Sequence, residues 1–279
     1  MAYKTLLSVL TDDTLSAPVL AQAAALAEAH DAHLEVLCLG VDRTQSGYYY
    51  AGASALILQE SLNRAQQEAA EIESAVRDRL KGATLRWGVD KGVVQLADIS
   101  RHVAARARFA DLVVLPRPYG KDRGLELEAV IEAAMFEGQT PVLVIPADRP
   151  PVATPRRIIL AWNESAEALT ATRAALPMLV QAEMVHVVVI DPPVQGPNRS
   201  DPGGMLSQYI ARHGAKVQID VLSKTMPRVS DVLMRHAKDM DADLIVMGAY
   251  GHSRFREAIL GGATRNMLEQ TEIPVFMAH

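Results

Sequence analysis

Four glycines and a threonine late in the sequence have the types and spacing of an anion cradle. Gly248-Ala-Tyr-Gly251-His252-Ser253-Arg254 directly follows the apolar run Leu244–Met247. Gly261-Gly262-Ala263-Thr264 then feeds a helical pattern carrying Arg265 and Leu268. Glycine lets the backbone take positive φ and approach a ligand closely. A helix N-terminus adds N–H donors and the positive end of the helix dipole. Thr264 offers a hydroxyl donor, and His252, Ser253, Arg254 and Arg256 bring polar or cationic groups. Isolated glycines after a strand merely turn the chain. Four of them in a strand–loop–helix setting point to phosphate, held beyond the carboxyl end of a parallel sheet.

Other chemistry is thinly represented. There is no Gly-x4-Gly-Lys-[Ser/Thr] loop, no Gly-x-Ser-x-Gly elbow and no His-Glu-x-x-His motif, so no catalytic residue is assigned. The eight histidines are scattered. His30 and His33 are expected at the end of the first helix, where a partly charged imidazole suits the dipole. His186 lies inside an apolar strand and is expected to be packed core, while His213 and His236 are expected to be surface or locally satisfied groups on helices. Cys38, the single cysteine, lies in the apolar run Leu34–Gly40 and is expected to be buried and inert. Arg101, Arg106 and Arg108 read as a solvated helix face. Tyr48-Tyr49-Tyr50 reads as a cover for the adjoining helix or as a ligand lid.

Composition excludes several classes. With 28 Lys+Arg against 33 Asp+Glu the chain of 279 residues has a formal charge of −5, a poor match to nucleic acid. One cysteine allows neither an internal disulfide nor a cysteine zinc cluster. No apolar run approaches the ~20 residues of a membrane span. The stripe from Ile57 through Leu80 carries Glu60, Glu68, Glu71 and Glu73 on its polar face, which argues against a membrane surface. Met-Ala-Tyr-Lys runs directly into Leu6-Leu7-Ser8-Val9-Leu10 without a signal-like h-region, so the expected location is cytoplasmic.

The elements that must position the loop come from an internal repeat. Ala110-Asp111-Leu112-Val113-Val114-Leu115 returns 132 residues later as Ala242-Asp243-Leu244-Ile245-Val246-Met247. Thr140-Pro141-Val142-Leu143 returns as Ile273-Pro274-Val275-Phe276, and the run from Thr5 corresponds to the run from Arg157. The first half carries extra residues between Ser46 and Ala70. A proline-rich linker, Ala147-Asp148-Arg149-Pro150-Pro151 with Pro155, separates domains expected at 1–148 and 156–279. In the second half, apolar strands are expected at Ile158–Ala161, Val185–Ile190, Leu244–Met247 and Val275–Ala278, with an alternating strand at Lys216–Val221. Helices are expected at Glu164–Val180, Gly203–Gly214, Val229–Met240 and Arg256–Gln270. Apolar strands alternating with helices give two doubly wound α/β domains with parallel sheets.

Gly248-x2-Gly251-x9-Gly261, set between an Ala-Asp-Leu-Ile-Val-Met strand and a final Pro-Val strand, resembles the nucleotide-binding signature of the universal stress protein family. The likeness extends over the chain as two tandem modules of the two-domain bacterial type. It implies an adenine nucleotide alpha hydrolase-like fold, about five strands per domain. It implies phosphates on Gly248, Gly251, His252, Gly261, Gly262, Ala263 and Thr264, and a nucleoside near Ala161, Asn163 and Val189. The ligand implied is ATP, with or without Mg²⁺, or a related adenine nucleotide. Two positions depart from the family pattern. Gly262 replaces a Ser/Thr, leaving Thr264 as the substitute hydroxyl, and Asn163 replaces the usual Asp.

The first half lacks the signature. Pro116 and Tyr119 stand for Gly248 and Gly251, and Glu128 stands for Gly261, with Glu126, Glu132 and the Asp12-Asp13 pair close by. Carboxylates repel phosphate, so this half is expected not to bind ATP in the same way. The resemblance further implies that Val142–Ile145 and Val275–Ala278 meet, as paired subunits do in single-module relatives. The function expected is a nucleotide-sensitive stress-response regulator that meets protein partners still to be identified, as a monomer with pseudo-dimeric halves or a homodimer. The alternatives are a slow ATPase or adenylate enzyme using His252 or Asp191 as base, and a nucleotide-free module for a small ligand or protein.

Overall fold

A computed structural model describes residues 2–44, 55–120, 123–147, 149–192, 200–249 and 262–279. The contacts divide them into two compact units, Tyr3–Thr140 and Pro141–His279. Tyr48-Tyr49-Tyr50 lies outside the described residues.

The first unit runs β1 (Thr5–Leu10), α1 (Asp13–His30), β2 (His33–Asp42), α2 (Ala55–Leu80) and β3 (Arg86–Gln95). A short turn at Leu96–Asp98 leads into α3 (Ile99–Ala107), β4 (Leu112–Pro116) and α4 (Leu125–Glu132). Its strands lie in the order β3-β2-β1-β4, and the pairings of β1 with β2 and β4 and of β2 with β3 are parallel. Leu6, Leu7, Val9 and Leu10 are all buried, so β1 is covered on both faces as a parallel strand should be. Of the stripe expected on α2, Ala65, Ala69, Ile72, Val76 and Leu80 face inward, whereas Ile57 and Leu62 near its start are exposed.

The second unit runs β5 (Val142–Ile145), β6 (Arg157–Ala161), α5 (Ala166–Leu179), β7 (Met184–Ile190) and α6 (Gly204–Arg212). It continues with β8 (Val217–Leu222), α7 (Val229–Asp239), β9 (Leu244–Gly248), α8 (Ala263–Gln270) and β10 (Val275–Ala278). Its order is β5-β10-β9-β6-β7-β8, parallel from β10 to β8. Only β5 runs against its neighbour, with Val144 opposite Val275 and Val142 opposite Met277. The meeting of Val142–Ile145 with Val275–Ala278 is therefore present as an antiparallel pair. It places β5 among the contacts of the second unit, ahead of the proline linker. The helix expected from Arg256 is described only from Ala263 onward.

The repeated Ala-Asp-Leu motif has a structural use. Asp111 accepts backbone N–H bonds from Lys4 (2.6 Å) and Thr5 (2.9 Å), tying the start of β1 to the start of β4. Asp243 does the same for β6 and β9, accepting from Arg156 (2.7 Å) and Arg157 (3.1 Å). Helices cover both faces of the second sheet. Val187 and Val189 face the start of α6, where a side-chain carbon on Gly203 would meet them. His186, of opposite parity on β7, faces α7. Among the described residues no helix is long and apolar enough to cross a membrane.

Candidate functional site

In the second unit the strand order reverses between β6 and β9, and the crevice beyond their carboxyl ends is the general ligand position of such sheets. Ala161 ends β6 and Gly248 ends β9, which brings both to this crevice. Asn163 is exposed and follows within two residues. Its Oδ1 accepts from the Ser165 backbone N–H at 3.2 Å, and Ser165 caps α5 by accepting from Ala168 N–H at 3.1 Å. The Asn163 oxygen thus shapes the turn into α5. Val189, one residue from the end of β7, is buried against the α6 layer.

Gly262 is the N-cap of α8 in an extended conformation, and no acidic residue lies in the first turn of that helix. Ala263 opens the helix. Thr264 is 2% exposed and already engaged within the protein, so the hydroxyl expected to replace the family's Ser/Thr sits in the core. Gly251, His252 and Gly261 lie outside the described residues. Asp191, considered above as a base, has φ of 45° and accepts from the Lys224 backbone N–H at 3.0 Å, which ties its carboxylate to the segment after β8.

Beside the loop that carries Asn163 lies a cavity of about 420 Å³, with Trp162, Leu169, Asp201, Met205, Leu206 and Tyr209 among its lining residues. Sequence reasoning did not find it, because Trp162 and Tyr209 come from elements far apart in the chain. Its size and largely apolar walls suit a small organic ligand, for which ~300–1,000 Å³ is usual.

The equivalent place in the first unit is filled by the chain itself. Pro116 ends β4, and Gly124 caps α4 as Gly262 caps α8. The Glu126 carboxylate folds back over Gly124, so that a side-chain carbon there would lie 2.1 Å from Oε2. Glu126 is buried, and its Oε1 accepts from Arg43 Nη2 at 2.7 Å. Arg43 also reaches Glu68 at 3.0 Å. Glu128 accepts from Tyr119 Oη at 2.7 Å. Asp12 caps α1 through Thr14 N–H, and Asp13 pairs with Arg79, which holds its carboxyl below the usual range.

Two histidine expectations need correction. His30 does sit in the last turn of α1, but it is 3% exposed, and burial, then Lys4, lowers its pKa below the ordinary 6.5. It is a neutral ring edge-on to Tyr3, with centroids 4.9 Å apart, and not a charged dipole partner. His33 opens β2 instead of closing α1. His236 is the satisfied group of the two alternatives: with Asp220 it is partly buried, and it joins buried His186 on the same Asp220 oxygen. Cys38 is buried as expected, and burial pushes its thiol up to about 12. Arg106 is not merely solvated, since it pairs with Glu35 and Asp90.

A sequence profile of the universal stress protein family matches residues 154–279. Those residues are a universal stress protein domain. The chain is similar to the universal stress protein Slr1230 of Synechocystis, at 26% identity over 153 residues, 54% of this chain and 50% of that protein. The match thus spans half the length of that relative. Among solved structures it is similar to a universal stress protein from Archaeoglobus fulgidus, with a TM-score of 0.71 at 16% identity, covering 98% of this chain and 95% of that one. It is also similar to a protein of unknown function from Pseudomonas aeruginosa PAO1, with a TM-score of 0.61 at 17% identity, covering 99% and 92%. At these identities the structures establish the fold alone, an α/β fold with a mostly parallel sheet, and they do so along nearly the whole chain.

Proposed function

We propose that the chain is a tandem universal stress protein whose second unit binds one adenine nucleotide, ATP foremost, and whose first unit does not. The observation that carries this reading is the contrast between two equivalent helix starts. In α8 the first turn is free of acids and capped by Gly262, whereas in α4 the same place holds the buried Glu126 carboxylate clamped by Arg43. Donors and dipole at the α8 start fit phosphate, and the cavity beside Trp162 and Leu169 gives the nucleoside apolar walls. The phosphates would bring any Mg²⁺ with them; no protein ligand is assigned to it. Asn163 keeps its amide N–H₂ to donate to a ribose oxygen while its own oxygen serves the turn.

The chain then acts as a nucleotide-sensitive stress-response regulator. Nucleotide shifts the populations of conformations that meet protein partners, and catalysis is not required. Titration calorimetry of the full chain with ATP and Mg²⁺ tests the reading. One ATP per chain is expected in the wild type, lost in Gly262→Asp, with Glu126→Gln unchanged. No heat of binding, two equivalent sites, or undiminished binding in Gly262→Asp overturns it.

One observation favours a second reading, a small apolar ligand without nucleotide. The 420 Å³ cavity is lined mainly by apolar and aromatic side chains, Trp162, Leu169, Met205, Leu206 and Tyr209, with Glu164 and Asp201 as its acidic groups. Mass spectrometry of molecules released from the purified protein distinguishes the two.

A further inference from the structure

The second unit contains a convergence of ligating atoms that the nucleotide reading does not use. His186 Nδ1 lies 2.9 Å from Asp220 Oδ2, and His236 Nε2 lies 2.8 Å from the same oxygen. The three ligand atoms all lie within 4.8 Å of one another. They come from β7, β8 and α7. The side chains are 8%, 10% and 12% exposed, so the trio is nearly sealed. Gln218 Nε2 donates to the other oxygen, Asp220 Oδ1, at 2.9 Å and thereby turns Oδ2 toward the imidazoles. Among the described residues no Lys or Arg forms an ion pair with Asp220.

The first unit shows what this node is built to hold. Glu35 stands opposite Gly88 as His186 stands opposite Gln218, and Leu37 stands opposite Asp90 as Val188 stands opposite Asp220. Arg106 precedes His236 by 130 residues, the spacing that also separates Asp90 from Asp220. The matching trio is therefore Glu35, Asp90 and Arg106, and there the guanidinium is clamped between two carboxylates. A fixed cation occupies the node in the first half. In the second half the arginine and one acid are both replaced by histidine, while the other acid is kept.

We propose that His186, Asp220 and His236 form a binding site for a divalent transition-metal ion, zinc being the reference case. Two imidazoles and one carboxylate suit such ions. Metal–ligand bonds of ~2.0–2.1 Å in tetrahedral array separate neighbouring ligand atoms by about 3.3 Å. The two imidazole–carboxylate separations of 2.9 and 2.8 Å need an opening of only about half an ångström to reach that spacing, and the two ring nitrogens lie within 4.8 Å of each other. Gln218 is the orienting partner of the carboxylate. The His186 position lies four residues, or ~13 Å of strand, before the end of β7, which separates the site from the nucleotide crevice. Its consequence is structural: the ion ties β8, the last strand in the sheet order, to both β7 and α7.

The test uses the full chain, stripped with chelator and exchanged into chelator-free buffer. Titration with Co²⁺ is expected to give the visible d–d bands of a four-coordinate site at one ion per chain, displaced by Zn²⁺. Asp220→Asn and His236→Ala are expected to abolish the bands, and Gln218→Leu to weaken binding ~10-fold. X-ray absorption of the zinc-loaded wild type is expected to show two imidazoles, and this reading stands even if a variant fails to fold. Absence of the bands in the wild type, a zinc shell without two imidazoles, or bands unchanged in both variants overturns the proposal. The trio is then a hydrogen-bonded substitute for the first half's ion pair.

Discussion

A side-chain carbon on Gly248 would stand 2.5 Å from the backbone nitrogen of Ala168 and 2.7 Å from the carbonyl carbon of Glu167. The end of β9 therefore packs directly on the first turn of α5, backbone to backbone. The glycine that opens the signature is required by packing, whatever the loop after it binds. Gly262 differs: its φ of −60° and ψ of 162° are open to any residue.

Gly248→Ala is accordingly expected to act on folding. Overpacking of this kind costs about 1–3 kcal/mol, seen in urea denaturation as a lower midpoint with unchanged slope. Gly262→Asp is expected to leave the midpoint nearly untouched, which makes it the cleaner probe of nucleotide binding. A Gly248→Ala protein as stable as the wild type contradicts the packing argument.

Arg43 is the counter-ion that lets the buried Glu126 carboxylate sit on the start of α4. Arg43→Ala leaves that carboxylate without its strongest partner. The arginine is half-exposed, so the expected cost is modest, about 1–2 kcal/mol. It should be read by thermal unfolding at neutral pH and low salt. The double variant Arg43→Ala, Glu126→Gln is expected to recover most of the loss, since the uncompensated charge is then gone. Absence of recovery would show that Arg43 acts through its packing and its bond to Glu68 instead.

The strands, their alternation with helices and the doubling of the chain were legible because apolar runs and the Ala-Asp-Leu motif are local signals. The β5–β10 meeting was legible only through the family likeness, as nothing in Val142–Ile145 says which strand it joins. The His186, Asp220, His236 trio was not read, since its members lie on three elements and each looks ordinary alone. A signal existed: stepping back by the repeat from His236 and Asp220 lands on Arg106 and Asp90, both charged. His30 was misread because helix position suggests a dipole partner, whereas burial under Tyr3 decides its charge. Gly248 was read as a ligand contact because its packing partner, Ala168, lies 80 residues away.

Asp111 and Asp243 make equivalent bonds, each accepting two backbone N–H groups at the start of a neighbouring strand. Replacing either by Ala removes a charged acceptor from two donors, a loss of about 1–3 kcal/mol. Asn keeps one acceptor oxygen and is expected to lose roughly half as much. Hydrogen exchange locates the effect: faster exchange is expected near Thr5 and Leu112 in Asp111→Ala, and near Arg157 and Leu244 in Asp243→Ala. Exchange rates unchanged at those strand starts would mean that the pins are dispensable.

His30 gives the first unit a defined acid sensitivity. Its folded-state pKa lies below the ordinary value of 6.5, with burial the larger cause and the Lys4 charge next. Between these two values the unfolded chain binds a proton that the native ring refuses. Stability contributed by the neutral ring is therefore complete above pH 6.5 and falls as the pH drops below it. Neither ring nitrogen has a hydrogen-bond partner among the described residues, so an apolar ring should serve as well. His30→Phe is expected to flatten the stability profile below pH 6.5 while holding or raising stability at neutral pH. Denaturation midpoints measured across that range decide the matter: a variant whose slope with pH matches the wild type would place the acid sensitivity in another group.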